Sequence, residues 1–153
     1  MALRTVGFTL IELLITLVIL VILATIGIPS FTDFIRNQNA KRGAHEVMAA
    51  LAYTRSEAIK RNTSVTITAN NAPNWEEGWS ITSGGDTLRI MNALDGLDIS
   101  GPNAAITFTS NGRAANLTFE VCNTDKSQQV KKRTVTLDSS GRAENEIDGD
   151  CST

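Results

Sequence analysis

The run from Phe8 to Ile28 constrains this chain more than any other feature. Sixteen of its 21 residues are apolar, and residues 13–28 carry no charge. As a helix the run would be about 31 Å long, enough to cross the hydrocarbon core of a bilayer. From Pro29 onward only 44 of 125 residues are apolar. A chain divided in this way is neither a uniform soluble domain nor a multi-span membrane protein. It reads as one apolar N-terminal helix followed by a head long enough for a single core. A secretory signal peptide would have a shorter apolar stretch followed by a small-x-small cleavage site. Here the apolar stretch is too long, and Ile28-Pro29-Ser30-Phe31 follows it.

Glu12 sits inside the apolar run. A carboxylate at the centre of a membrane helix costs about 2.5–3.5 kcal/mol on insertion scales, so such a residue needs a partner. Flanking charges do not orient the helix, because Arg4 stands on one side and Arg36, Lys41 and Arg42 on the other.

The heptapeptide Gly7-Phe8-Thr9-Leu10-Ile11-Glu12-Leu13 resembles the processing motif of the type IV pilin-like superfamily. The resemblance implies a leader, residues 1–7, cut after Gly7 by a prepilin peptidase. Phe8 is then the N-methylated mature N-terminus, and Glu12 is the fifth mature residue. It also implies that Glu12 pairs with the terminal amine of a neighbouring subunit, and that Pro29 occupies the family's helix-bending position. The implied division is leader 1–7, transmembrane and assembly helix 8–36, and periplasmic head 37–153.

Pro29 lacks an N–H and should kink the helix rather than end it. Beyond it the helical period continues, with Val47, Met48, Leu51, Ala52 and Ile59 as one apolar stripe, to about Arg61. After Ser64 the period becomes two. Val65–Thr68, 78–82, 87–91, 106–109, 117–122 and 133–137 read as strands separated by Gly- and Asn-rich turns. The expected fold class is therefore α+β: a long kinked N-terminal helix, transmembrane in its first half, packed by its second half against an antiparallel sheet. Phe108-Thr-Ser-Asn-Gly112-Arg113-Ala114 is echoed by Leu137-Asp-Ser-Ser-Gly141-Arg142-Ala143, and both read as hairpin turns with positive φ at Gly. Trp75 and Trp79 read as core anchors.

Cys122 and Cys151 are the only cysteines and His45 the only histidine, so a zinc site would lack ligands. The two cysteines suit a disulfide pinning the C-terminal tail in an oxidising compartment, worth about 3 kcal/mol; two free buried thiols are the other reading. The head, residues 37–153, carries 12 Lys/Arg and 14 Asp/Glu. That balance lacks the basic excess of a nucleic-acid binder. Neither a P-loop, G-x-G-x-x-G, G-x-S-x-G nor H-E-x-x-H occurs, and no cofactor, metal or small-molecule substrate is implied. The acidic run Glu144, Glu146, Asp148, Asp150 reads as a solvated tail without EF-hand spacing.

The Trp-x3-Trp spacing, the two Gly-Arg turns and the chain length resemble the H-type branch of the superfamily, the GspH/FimT group, and within it the FimU-like minor pilins. That resemblance implies a structural subunit rather than an enzyme. It would be an inner-membrane, single-pass precursor with a periplasmic head, later a filament subunit. Its partners would be other minor pilins, the major pilin, prepilin peptidase and the inner-membrane assembly platform. Two alternatives remain: the H pseudopilin of a type II secretion system, and a FimT-like DNA-uptake subunit. FimT-like members carry Gly-Arg-x-Arg near the C-terminus; here Glu144 replaces the second Arg, which opposes phosphate binding.

Overall fold

The computed structural model describes residues 8–126 and 130–151, with no account of side chains at 26–30. The chain divides into two compact units between Ile35 and Arg36. One helix, α1 (Leu10–Arg61), contributes to both. Pro29 does not end it; that residue's side chain lies outside the described ones, as does the whole leader with Gly7.

In the first unit the large apolar side chains from Phe8 to Leu23 are all exposed. They occupy nearly every position, so they encircle the helix rather than forming a stripe. Among the described residues no helix is long and apolar enough to cross a membrane. The spanning reading of 8–28 rests on the sequence, whose last apolar residues fall among the undescribed side chains.

The second unit is a helix on an eight-stranded antiparallel sheet. The strands are β1 (Val65–Asn71), β2 (Asn74–Ser83), β3 (Asp86–Met91), β4 (Leu97–Ser100), β5 (Ile106–Phe108), β6 (Leu117–Asn123), β7 (Lys131–Leu137) and β8 (Ala143–Asp150). Their order is β5-β1-β2-β4-β6-β7-β8, with β3 paired to β2 as well. The β2–β3 hairpin turns on Gly84 and Gly85, both at positive φ, the geometry a two-residue loop demands. The expected α+β class and antiparallel sheet are thus present.

Three expectations need correction. The helix buries Ala40, Ala44, Val47, Ala50, Leu51, Thr54 and Ala58; of the expected stripe Val47 and Leu51 are buried and Met48 packs half-buried against the core, whereas Ala52 and Ile59 are exposed. Small residues win this face because the backbone lies close to the sheet. A methyl group on Gly43 would come within 2.6 Å of Leu97 Cδ1 and 3.1 Å of Val121 Cγ1. Thr54 is tolerated because its hydroxyl donates to the Ala50 carbonyl at 2.7 Å. Second, the residues around Gly112 do not form a hairpin. β5 pairs with β1, whereas β6 lies between β4 and β7. Third, residues 143–150 are a paired edge strand, not a loose tail.

The predicted helix end is where expected, for a specific reason. Asn62 adopts φ 51°, Thr63 N–H donates to the Ala58 carbonyl and Asn62 N–H to that of Ile59. These two bonds are a Schellman cap with Asn in the left-handed position. The core gathers α1's buried face with Trp75, Trp79, Ile81, Ile99, Phe108, Phe119, Val121 and Leu137. Trp75 meets Phe119 edge-on at 4.9 Å, and its indole N–H donates to the Pro102 carbonyl at 3.1 Å. The tryptophans are core anchors, as their spacing predicts.

Candidate functional site

The N-terminal turn of α1 is built around Glu12. Thr9 N–H and Thr9 hydroxyl both donate to Glu12 Oε2 at 3.0 Å, and Glu12 N–H donates back to Thr9 Oγ1 at 3.3 Å. This reciprocal pair is a capping box, Thr-x-x-Glu, which satisfies orphan donors at the helix start. The motif is visible in the sequence as Thr9-Leu10-Ile11-Glu12. Phe8 lies beside this cap, exposed.

Cys122 and Cys151 form the disulfide, joining β6 to the residue after β8. It packs with Ala40 and Val130 as a small cluster separate from the main core. The neighbouring main chain is tied down as well. Cys151 N–H donates to the Val130 carbonyl at 3.0 Å, and Lys131 N–H to Asn37 Oδ1 on α1 at 3.0 Å. Three of the four acidic residues of the run 144–150 meet cations. Glu144 pairs with Arg142 at 3.2 Å, Asp148 with Lys132 at 3.8 Å and Asp150 with Lys131 at 2.6 Å.

The two echoed turns are alike in their hydrogen bonds. Thr109 N–H donates to the Arg113 carbonyl at 2.9 Å and Gly112 N–H to the Thr109 carbonyl at 2.7 Å. The corresponding bonds from Asp138 and Gly141 are 3.0 and 2.9 Å. Thr109 Oγ1 and Asp138 Oδ1 play the same part, each accepting from the Arg N–H four residues on. The turns also touch. A methyl group on Gly141 would collide with the Gly112 carbonyl, and Arg55 of α1 lies against both glycines. Leu117 and Leu137 are partners across β6 and β7, so the turn that leads into β6 and the turn that leaves β7 lie at the same end of the sheet. Arg113 and Arg142 themselves point outward, exposed. His45 is exposed on α1, and Trp75 and Trp79 are buried.

The architecture fits a family. The model of the GspH family, described as type II transport protein GspH, matches residues 43–141, which is 99 of 153 residues. The chain belongs to the GspH family. The matched stretch begins at Gly43, where α1 presses on the sheet, and ends at Gly141 of the second turn. Among solved structures, the type IV minor pilin FimU of Pseudomonas aeruginosa superposes with a TM-score of 0.62 at 25% identity, over 72% of this chain and 98% of that one. A second crystal form of FimU gives 0.61 and 27%, over 79% and 98%. The minor pseudopilin EpsH from the type 2 secretion system of Vibrio cholerae gives 0.56 at 15%, over 71% and 97%. That last likeness speaks to the fold alone. No curated protein matches the chain.

Proposed function

We propose that this GspH-family chain is a minor pilin: a structural subunit of a type IV pilus that helps prime assembly near the tip. The observation that carries the proposal is the likeness to FimU across 98% of that chain at 25–27% identity, beside a weaker likeness to EpsH. The leader 1–7 is removed after Gly7, and Phe8 becomes the N-methylated terminus. The helix of 8–36 holds the precursor in the inner membrane, with the head of 37–153 in the periplasm. The exposed apolar side chains from Phe8 to Leu23 support this, since so large an apolar surface needs lipid or protein around it. In the filament that surface meets other subunits' helices, and Pro29 allows the helix to bend among them. Glu12 Oε2 caps its own helix, while Oε1 receives the amine of a neighbouring Phe8. No catalytic step is assigned.

Deletion and complementation test the reading. Loss of the chain should abolish or sharply reduce surface pili, with full recovery on re-expression. Intact pili together with blocked exoprotein release would instead make it the H pseudopilin of a secretion system. In the same strain, Gly7→Ala should accumulate as uncleaved precursor in the membrane.

A further inference from the structure

Met48, Ala52 and Ile59 recur at helical spacing along the edge of α1's buried face; Met48 is half-buried against the core, and Ile59 is 51% exposed. With Ala143 at the start of β8 they wall a groove of about 330 Å³ between the helix flank and the Gly141-Arg142 turn. That volume is at the lower end of the roughly 300–1,000 Å³ typical of binding pockets, and takes a few side chains.

Arg55 lies in this groove. Its Nε is buried without an acceptor. The two turns hold it there: methyl groups on Gly112 and Gly141 would lie only 3.1 and 3.3 Å from that nitrogen. A buried guanidinium N–H with no acceptor is costly, and an incoming carboxylate would relieve that cost. No acidic residue lines the groove. The other cation, Arg142, pairs with the exposed Glu144, a surface pair easily exchanged.

We propose that this groove docks a segment of another filament subunit in which one carboxylate stands between apolar side chains. The inference rests on the filament-subunit reading above. The carboxylate would reach the Arg55 and Arg142 guanidinium groups as a charge-assisted pair, and the flanking side chains would cover Met48, Ala52 and Ile59. Charge selects this occupant. A basic segment is repelled by the two arginines. A nucleic acid finds no basic excess on a head that carries 14 Asp/Glu against 12 Lys/Arg.

The test uses the full-length chain in its own host, with the resident copy deleted. Arg55→Glu, Arg55→Lys and the groove-filling Ala52→Trp are compared for incorporation into sheared filaments, leader cleavage and unfolding temperature. Arg55→Glu and Ala52→Trp should lower incorporation about tenfold or more, with cleavage and unfolding unchanged. Arg55→Lys should retain most of it. Position 52 is exposed, so Ala52→Trp decides the matter if Arg55→Glu unfolds early. A benzophenone amino acid at position 52 should cross-link a peptide of another filament subunit containing Asp or Glu among apolar residues. Changing that acid to Arg should rescue Arg55→Glu. Wild-type incorporation of both groove variants overturns the proposal. So does cross-linking to nucleic acid, to lipid, to a basic segment or to a second copy of this chain. If the unaltered chain never enters filaments, the subunit reading itself falls, whatever the groove variants do.

Discussion

Among the described residues Glu12 engages one carboxylate oxygen, Oε2, and that engagement is with Thr9. Capping and charge pairing are therefore separable by substitution. Glu12→Gln keeps an oxygen that can accept from Thr9, but carries no charge to meet a neighbour's amine; Glu12→Ala removes both. If pairing governs assembly, both variants should insert in the membrane and fail to enter filaments. Normal incorporation of Glu12→Gln, scored by immunoblot of sheared filaments, would reduce Glu12 to a helix cap. Asn123 poses the opposite case. It is 2% exposed on the helix-facing side of β6, and neither Oδ1 nor Nδ2 has a partner. Replacing it with Leu removes an unpaid desolvation cost at similar volume. Asn123→Leu should stabilise the fold by about 1–3 kcal/mol in urea unfolding. No sequence signal marks Asn123, because an Asn in a strand looks like any outward-facing polar residue until the pleat direction is known.

At the scale of elements, the β7–β8 turn depends on an ionised Asp138. Hydrogen bonds from the Ser140 hydroxyl and then from Arg142 N–H hold its carboxyl below the ordinary range, against a small opposing desolvation. A depressed folded pKa contributes stability that is present above the unfolded value. It is lost as pH falls through the folded one. The stability difference between wild type and Asp138→Ala should therefore be constant above about pH 5 and vanish in stronger acid. A pH series of thermal unfolding curves for the two proteins checks this. Most elements were legible beforehand. The two glycines of the β2–β3 hairpin, the Asn-Thr-Ser helix stop and the alternation of β1, β6 and β7 are local signals, and each element formed where they stand. β4 was not expected, since Leu97–Ser100 is too short for alternation to register. β8 was read as a tail because its acidic residues outweighed its strand period. Only pairing with β7 and the cations Arg142, Lys132 and Lys131 make it a strand.

At the scale of the whole molecule, the disulfide joins the last strand to the middle of the sheet and closes the small cluster around Ala40. The double variant Cys122→Ser, Cys151→Ser should lose about 3 kcal/mol, with the loop of 29 positions setting the scale. Reductant should lower the unfolding temperature of the wild type and leave the variant unchanged. An equal response of both proteins would show that the crosslink does not stabilise the head.

The sequence by itself determined the division between an apolar helix start and a mixed head, the antiparallel sheet, the tryptophan core and the candidate cysteine pair. These depend on composition and on periods of two or 3.6, which are properties of neighbouring residues. Tertiary structure alone decided which helix face is buried. Close approach at Gly43 favours a buried face rich in small residues and leaves Ala52 and Ile59 outside it. It alone brought the two Gly-Arg turns together, since the pairing of β6 with β7 sets the turn before one beside the turn after the other. Arg55 owes its place to that contact: the groove it lines is made of segments more than 80 positions apart in the chain, and no local pattern encodes such a meeting.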